Sequence, residues 1–169
     1  MQTEKIKTPA KINLFLNITG LRADGFHLLE SVFSPIDLFD TITVSASEVI
    51  ECSVKNNLSH QSNFNLADNI CVKAAQLLRQ ECRVKEGCNI EIEKNIPIGA
   101  GLGGGSSDAA ATLKLLNKFW NLNLSLDSLR NLAIRIGADV PFFLEPRTSF
   151  VNYMVKIVNL FQNLPPKDQ

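Results

Sequence analysis

The chain has 169 residues, 45% hydrophobic and 20% charged, enough for one well-buried domain of ordinary globular composition. Seventeen basic and seventeen acidic residues cancel, so no global field points to nucleic acid or an anionic membrane as partner. Four cysteines without a C-x-x-C pair and two distant histidines supply zinc poorly; with no secretory signal and no apolar run near the roughly 20 residues of a bilayer span, a cytoplasmic chain with reduced thiols is expected.

The first periodic segment is 11–18, where Ile12, Leu14, Leu16 and Ile18 alternate with Lys11, Asn13, Phe15 and Asn17. That is strand periodicity, and it sets Lys11 beside Asn13 on the more polar face. Gly20 to Gly25 reads as a turn, the stretch 28–38 as extended or mixed, and Thr41-Ile42-Thr43-Val44 as a short strand. Residues 53–68 are polar and rich in Asn and Ser, and are expected to form a surface loop. Asp68 or Asn69 caps a helix running to about Cys82, and 89–94 alternates as another strand. A glycine loop and a helix over 106–120 follow. Ser125 caps a further helix that Gly137 ends, and Phe142-Phe143-Leu144 and Ser149-Phe150-Val151 read as short strands. This mixture predicts an α+β fold, a mixed sheet packed with helices.

The loop carries the chemistry. Five of the nine glycines fall within 99–105, directly before Ser106-Ser107-Asp108 and an Ala/Leu run of strong helix formers. Glycine this dense suits a main chain that turns tightly and aims several N–H groups at one point, and a helix N-terminus behind it favours an anion. As a bare pattern, Gly99-x-Gly101-x-x-Gly104 also fits the dinucleotide fingerprint, but Asp127, the acid at the right distance, lies at a helix start rather than a strand end. No Gly-Lys-[Ser/Thr] follows for a Walker A loop, and no His-Arg-Asp or Asp-Phe-Gly segment accompanies it as in protein kinases. A phosphate cradle of another design remains.

Asp139, in Gly137-Ala138-Asp139-Val140-Pro141-Phe142-Phe143, is a second candidate, since an acid in apolar surroundings needs a partner. Lys11 can supply it, although in isolation a turn carboxylate explains Asp139 as well as a functional role does, and a snorkelling edge-strand lysine is the better reading of Lys11.

Taken together, Pro9-Ala10-Lys11-Ile12-Asn13-Leu14, Asp24-Gly25-Phe26-His27, the loop from Pro97 to Ala110 and the Gly137–Phe142 segment resemble the successive motifs of the GHMP small-molecule kinases, over roughly residues 6–145. The resemblance implies the N-terminal-domain fold of that family. It also implies transfer of the γ-phosphoryl group of ATP, with Mg²⁺, to the 2-hydroxyl of a cytidine-diphosphate-linked methylerythritol. By motif position, Asp139 is the base at the acceptor hydroxyl, with Lys11 beside it. A carboxylate next to a cation is held ionised, so orientation and electrostatics rather than strong basicity would be its contribution. Pro97, Gly99, Gly101, Leu102, Gly103, Gly104, Gly105, Ser106 and Ser107 hold the triphosphate, with Ser107 at the metal. Asn69 and Lys94 fall at the adenosine, and Asn13, Phe26 and His27 at the acceptor substrate. Phe26 stands where the family more often has tyrosine.

The resemblance decays after Leu144. Tyr153 and Val155 replace the glycines of the family's Gly-x-Gly-Glu turn, and Lys156 its acid. The expected organisation is a GHMP kinase N-terminal, ATP-binding domain over 1–151 and a divergent tail over 152–169, with the family's C-terminal domain absent. Two alternatives stay open: a catalytically silent nucleotide-binding remnant of such a kinase, and a GHMP kinase for another small alcohol. Neither nucleic acid nor membrane is expected as partner, and the sequence does not specify an oligomeric state.

Overall fold

A computed structural model of the chain describes residues 3–21, 27–57, 69–152 and 156–159. Two 19-residue strands dominate it, β1 (Thr3–Leu21) and β2 (His27–Ser45), paired antiparallel from end to end. The predicted strands at 11–18 and 41–44 are segments of these two. β2 carries β1 on one edge and divides its other edge between two partners. Thr41–Ser45 pair with β4 (Cys88–Lys94), and Glu30–Phe33 with β5 (Ser149–Asn152). Outside β4 lies β3 (Ile50–Asn56), parallel to it, and outside β5 lies β6 (Lys156–Asn159), antiparallel. The sheet is therefore mixed. The parallel pair, β3 and β4, is joined through helix α1 (Ile70–Cys82), as a parallel connection requires.

Three further helices follow: α2 (Gly104–Phe119), α3 (Leu126–Ile136) and the short α4 (Val140–Leu144). Ile42 and Val44 of β2 and Ile90 and Ile92 of β4 share one buried cluster with Leu78 of α1, Leu113 and Leu116 of α2, and Phe142 and Phe143 of α4. Glu51, Ser53, Lys55 and Glu91 face outward, so the sheet is apolar toward the helices and polar toward water. Caps follow the sequence signals: Asn69 Oδ1 accepts from Cys71 N at 2.8 Å, and Ser125 Oγ from Ser128 N at 3.2 Å. No helix among the described residues is long and apolar enough to cross a membrane.

Four expectations need correction. Residues 142–144 are helical: Pro141 sits in the first turn of α4, where its missing N–H costs nothing. The polar stretch from 53 begins inside a strand, β3, because Ile50, Cys52 and Val54 turn inward while their neighbours face water. The helix after the glycine loop starts two residues early, at Gly104. Finally, Ile12, Leu14 and Leu16 are surface residues, as is Phe15, 36–59% exposed, and a register shift between Asn13 and Phe15 breaks the alternation.

Leu113 is fully buried between sheet and helices. Replacing it with alanine is expected to cost about 2–5 kcal/mol, read as a lower urea midpoint without a change in slope.

Candidate functional site

The site is built on a constraint beneath it. Lys94, last residue of β4, is 5% exposed, and its ammonium donates to Asp40 Oδ2 on β2 and, at 2.7 Å, to Asp108 Oδ2 on α2. The other Asp40 oxygen accepts the main-chain N–H groups of Asn95 at 2.6 Å and Ile96 at 2.8 Å. One cation thus ties two strands to a helix, and Asp40 turns the chain immediately after β4. Asp108 Oδ1 is buried without a hydrogen-bond partner. Burial, reinforced by the charge of Asp40 and opposed by Lys94, pushes the Asp108 carboxyl up to about 8. Burial alone would lower Lys94, but the two carboxylates hold it above the ordinary lysine range.

From this anchor the chain loops outward through 97–103 and re-enters as α2. Gly99, Gly101 and Gly103 have φ of +72°, +74° and +71°, where side chains are strained. At Gly103 a methyl group would also lie 2.7 Å from the tip of Phe143, and at Gly104 it would lie 2.9 Å from Ile96 and 3.2 Å from Lys94 Nζ. No side chain caps α2, whose first internal bond runs from Ser107 N to Gly103 O. The N–H groups of Gly104, Gly105 and Ser106 therefore have no intrahelical acceptor and open onto a cleft of about 650 Å³.

β1 forms the opposite wall. Its register with β2 shifts between Pro9 and Ala10, with two extra residues on β2, and Lys11 N there donates to Leu102 O of the loop at 2.9 Å. Lys11 Nζ reaches Asn13 Oδ1 at 2.8 Å and lies 3.9 Å from Asp139 Oδ2. Asp139 occupies the N-cap position of α4 without making a capping bond, so its carboxylate stays free to face Lys11. Burial lowers the Lys11 ammonium from its ordinary value, and the charge of Asp139 partly restores it.

Of the residues expected at the site, Lys11, Asn13, Asn69, Lys94, Asp139 and the loop from Pro97 to Ser106 share the walls of this cleft. Lys94 arrives there with its ammonium already committed to Asp40 and Asp108. Ser107 differs: its hydroxyl donates to Pro9 O at 2.6 Å and lies 2.5 Å from Thr8 Oγ1, binding α2 to β1. Of the two adjacent serines, it is Ser106 that lines the cleft. Phe26 lies outside the described residues, and His27 is placed only by its backbone, opposite Leu21 at the start of β2. Asp40 and Asp108 did not stand out in the sequence; Asp108 directly follows the loop serines, while Asp40 looks like any acid at a strand start. The cysteine thiols are held protonated by burial, Cys52 pushed up to about 11 and Cys88 to about 12, so neither is a poised nucleophile.

The family model of the GHMP kinases N terminal domain matches residues 69–145. The chain is 49% identical over 145 residues to the 4-diphosphocytidyl-2-C-methyl-D-erythritol kinase of Prosthecochloris aestuarii, covering 86% of this chain and 49% of that protein. Against the protein of the same name from Chlorobaculum tepidum it is 48% identical over 147 residues, again 86% of this chain and 49% of the relative. The chain spans about half the length of the curated relatives it matches. A crystal structure of 4-(cytidine 5'-diphospho)-2C-methyl-D-erythritol kinase superposes with a TM-score of 0.75 at 34% identity, covering 96% of this chain and 56% of that one. Mevalonate kinase of Methanococcus jannaschii, at 22% identity and TM-score 0.63, shares the fold.

Two outcomes follow from the anchor and the loop. Asp108 keeps its proton in the folded chain up to about pH 8, while the unfolded chain releases it in the ordinary carboxylate range. Stability should therefore fall with rising pH between those limits, by at most about 1.4 kcal/mol per pH unit, and level off above. Asp108→Asn should flatten that slope, so urea midpoints at pH 5 and pH 8 lie closer together than in the parent chain. Gly103→Ala, strained by its φ and by Phe143, should lose about 1–3 kcal/mol of stability, measured by thermal melts.

Proposed function

We propose that this chain, which carries the N-terminal domain of the GHMP kinases, supplies the nucleotide cradle and the reacting pair of an ATP-dependent kinase. Its acceptor is the 2-hydroxyl of 4-diphosphocytidyl-2-C-methyl-D-erythritol. The observation that carries this reading is the placement of Lys11 and Asp139, 3.9 Å apart, on the same cleft as the uncapped first turn of α2. The relatives named above support the choice of acceptor, and the cleft's size suits a nucleotide.

In this reading the free N–H groups at the start of α2 and the glycine backbone donate to the phosphate oxygens, giving the anion the positive end of the helix. Pro97 and Ile98 border the cleft beside the half-buried Ile70 and Val54, an apolar flank against which a nucleoside packs, with Asn69 at its edge. Asp139 accepts the proton of the acceptor hydroxyl as the new P–O bond forms and the bond to the leaving ADP oxygen breaks. Lys11 faces the same region with its ammonium and offsets negative charge on the reacting oxygens. A loose transition state asks for placement and charge balance rather than covalent help, and a buried cation beside a half-open carboxylate supplies both.

Among the described residues no group of three or more His, Cys, Asp or Glu side chains could hold a metal. In this reading the cation is carried in on the nucleotide's phosphates, and Ser106 is a protein oxygen on the same cleft. When bound, Mg²⁺ would neutralise phosphate charge there. Asn13 stands on the acceptor side, and Phe26 and His27 are assigned by motif to the cytosine.

Asp139→Asn removes the proton acceptor and keeps the shape. In a coupled ATP-consumption assay with the cytidylylated acceptor, kcat should fall by about 10²–10⁴ while ATP affinity changes little. A parent chain that turns over no faster than this variant would overturn the kinase reading.

A further inference from the structure

Lys11 is 5% exposed, yet its counter-charge is loose: Asp139 stands 3.9 Å away with 30% of its side chain in water. From β1 the ammonium meets the neutral amide of Asn13. What faces it from β2 is an aromatic ring. Lys11 Nζ sits 4.4 Å from the centroid of Phe33, the distance at which a cation is drawn to a π face.

That ring is held from behind. Phe33 is 4% exposed and stands directly across from Asn13 in the β1–β2 ladder. It packs edge-to-face on Phe142, with centroids 5.4 Å apart at 89°, and Phe142 packs the same way on Phe143, at 5.0 Å and 80°. Phe143 in turn touches the glycine loop, its tip filling the space a side chain at Gly103 would need. One aromatic row therefore underlies the loop, the start of the helix behind Asp139 and the lysine between them.

We infer that Phe33 is a positioning residue for Lys11, its ring face steadying the ammonium in a desolvated seat and fixing where it points. A carboxylate in the same place would hold Lys11 as well, but would add negative charge where the cleft receives an anion. A ring stabilises the cation and leaves the site's net charge unchanged. The effect on turnover rests on the kinase reading above; the seating of Lys11 does not.

The test uses the whole chain labelled with ¹³C-lysine, the Lys11 Hε–Cε signal being identified by its loss in Lys11→Arg. Over a ring face that signal is displaced upfield in the parent chain without any substitution. In Phe33→Leu the displacement should vanish and Lys11 should titrate about one pH unit lower, with Phe33→Tyr restoring both. In the turnover assay Phe33→Leu should lower kcat about tenfold, with KM for ATP within twofold and Tyr rescuing. A Lys11 signal at the ordinary lysine position in the parent chain would overturn the proposal whether or not the leucine variant folds. So would a Lys11 titration unchanged in a folded Phe33→Leu. The NMR result in a chain without turnover would support the seat and reject the kinase reading, so the two fail separately.

Discussion

A lysine shared by two aspartic side chains in the protein interior is the constraint from which the site follows. Lys94 cannot be buried alone as a cation, nor Asp40 as a carboxylate, and Asp108 joins them as the third member. Their union fixes the end of β4 against β2 and the first turns of α2. Because Asp40 also takes the N–H groups of Asn95 and Ile96, the chain leaves the sheet at one angle and must return to α2 at another. The loop between is obliged to arch, and three residues at positive φ let it do so. The absence of a Cβ at Gly104 matters for the same reason: the helix start lies against Ile96 and the lysine itself. The open N–H groups are thus held in place by charge beneath them, and an arriving anion need not order them.

The facing wall is organised by different means. Pro9, which cannot donate to a ladder, lies on β1 where the register shifts, and Lys11 then pairs with the loop through Leu102. Thr8 and Ser107 lock strand to helix below. Ser107 has the sequence setting of a ligand and the structural setting of a rivet. Its neighbour Ser106 is the serine left on the cleft. Two adjacent hydroxyls in a helix first turn point about 100° apart, so a motif that contains both cannot by itself say which one faces the ligand.

Much of this was legible in the residues. The loop, its helix, both capped helices and the pairing of Lys11 with Asn13 on one face follow from local chemistry: glycine density, Asn69 and Ser125 before helical runs, alternation over 11–18. What escaped was decided by tertiary packing. The run 142–144 is short and apolar enough for either periodicity, and burial against α2 and α3 chose the helix. Ile12, Leu14 and Leu16 have strand spacing, but the register shift between Asn13 and Phe15 interrupts it, and spacing does not say whether a face is covered. Asp40 and Asp108 lie 68 positions apart, and only the β2–β4 register, in which Thr41 faces Glu93, brings the first of them to Lys94. Phe33 looks like one apolar residue among several until the ladder places it across from Asn13.

The hydrogen bonds joining Thr8 to Ser107 close a loop of 99 residues, which bears on the order in which the molecule assembles. The β1–β2 hairpin and the capped helices are local and can form early, while contacts of such sequence separation come late because the closure entropy precedes their reward. On a ribosome the first strand emerges roughly a hundred residues before the helix it must dock against. The arch of the glycine loop therefore exists only in the finished domain, and whatever enters the cleft meets a chain that has already folded.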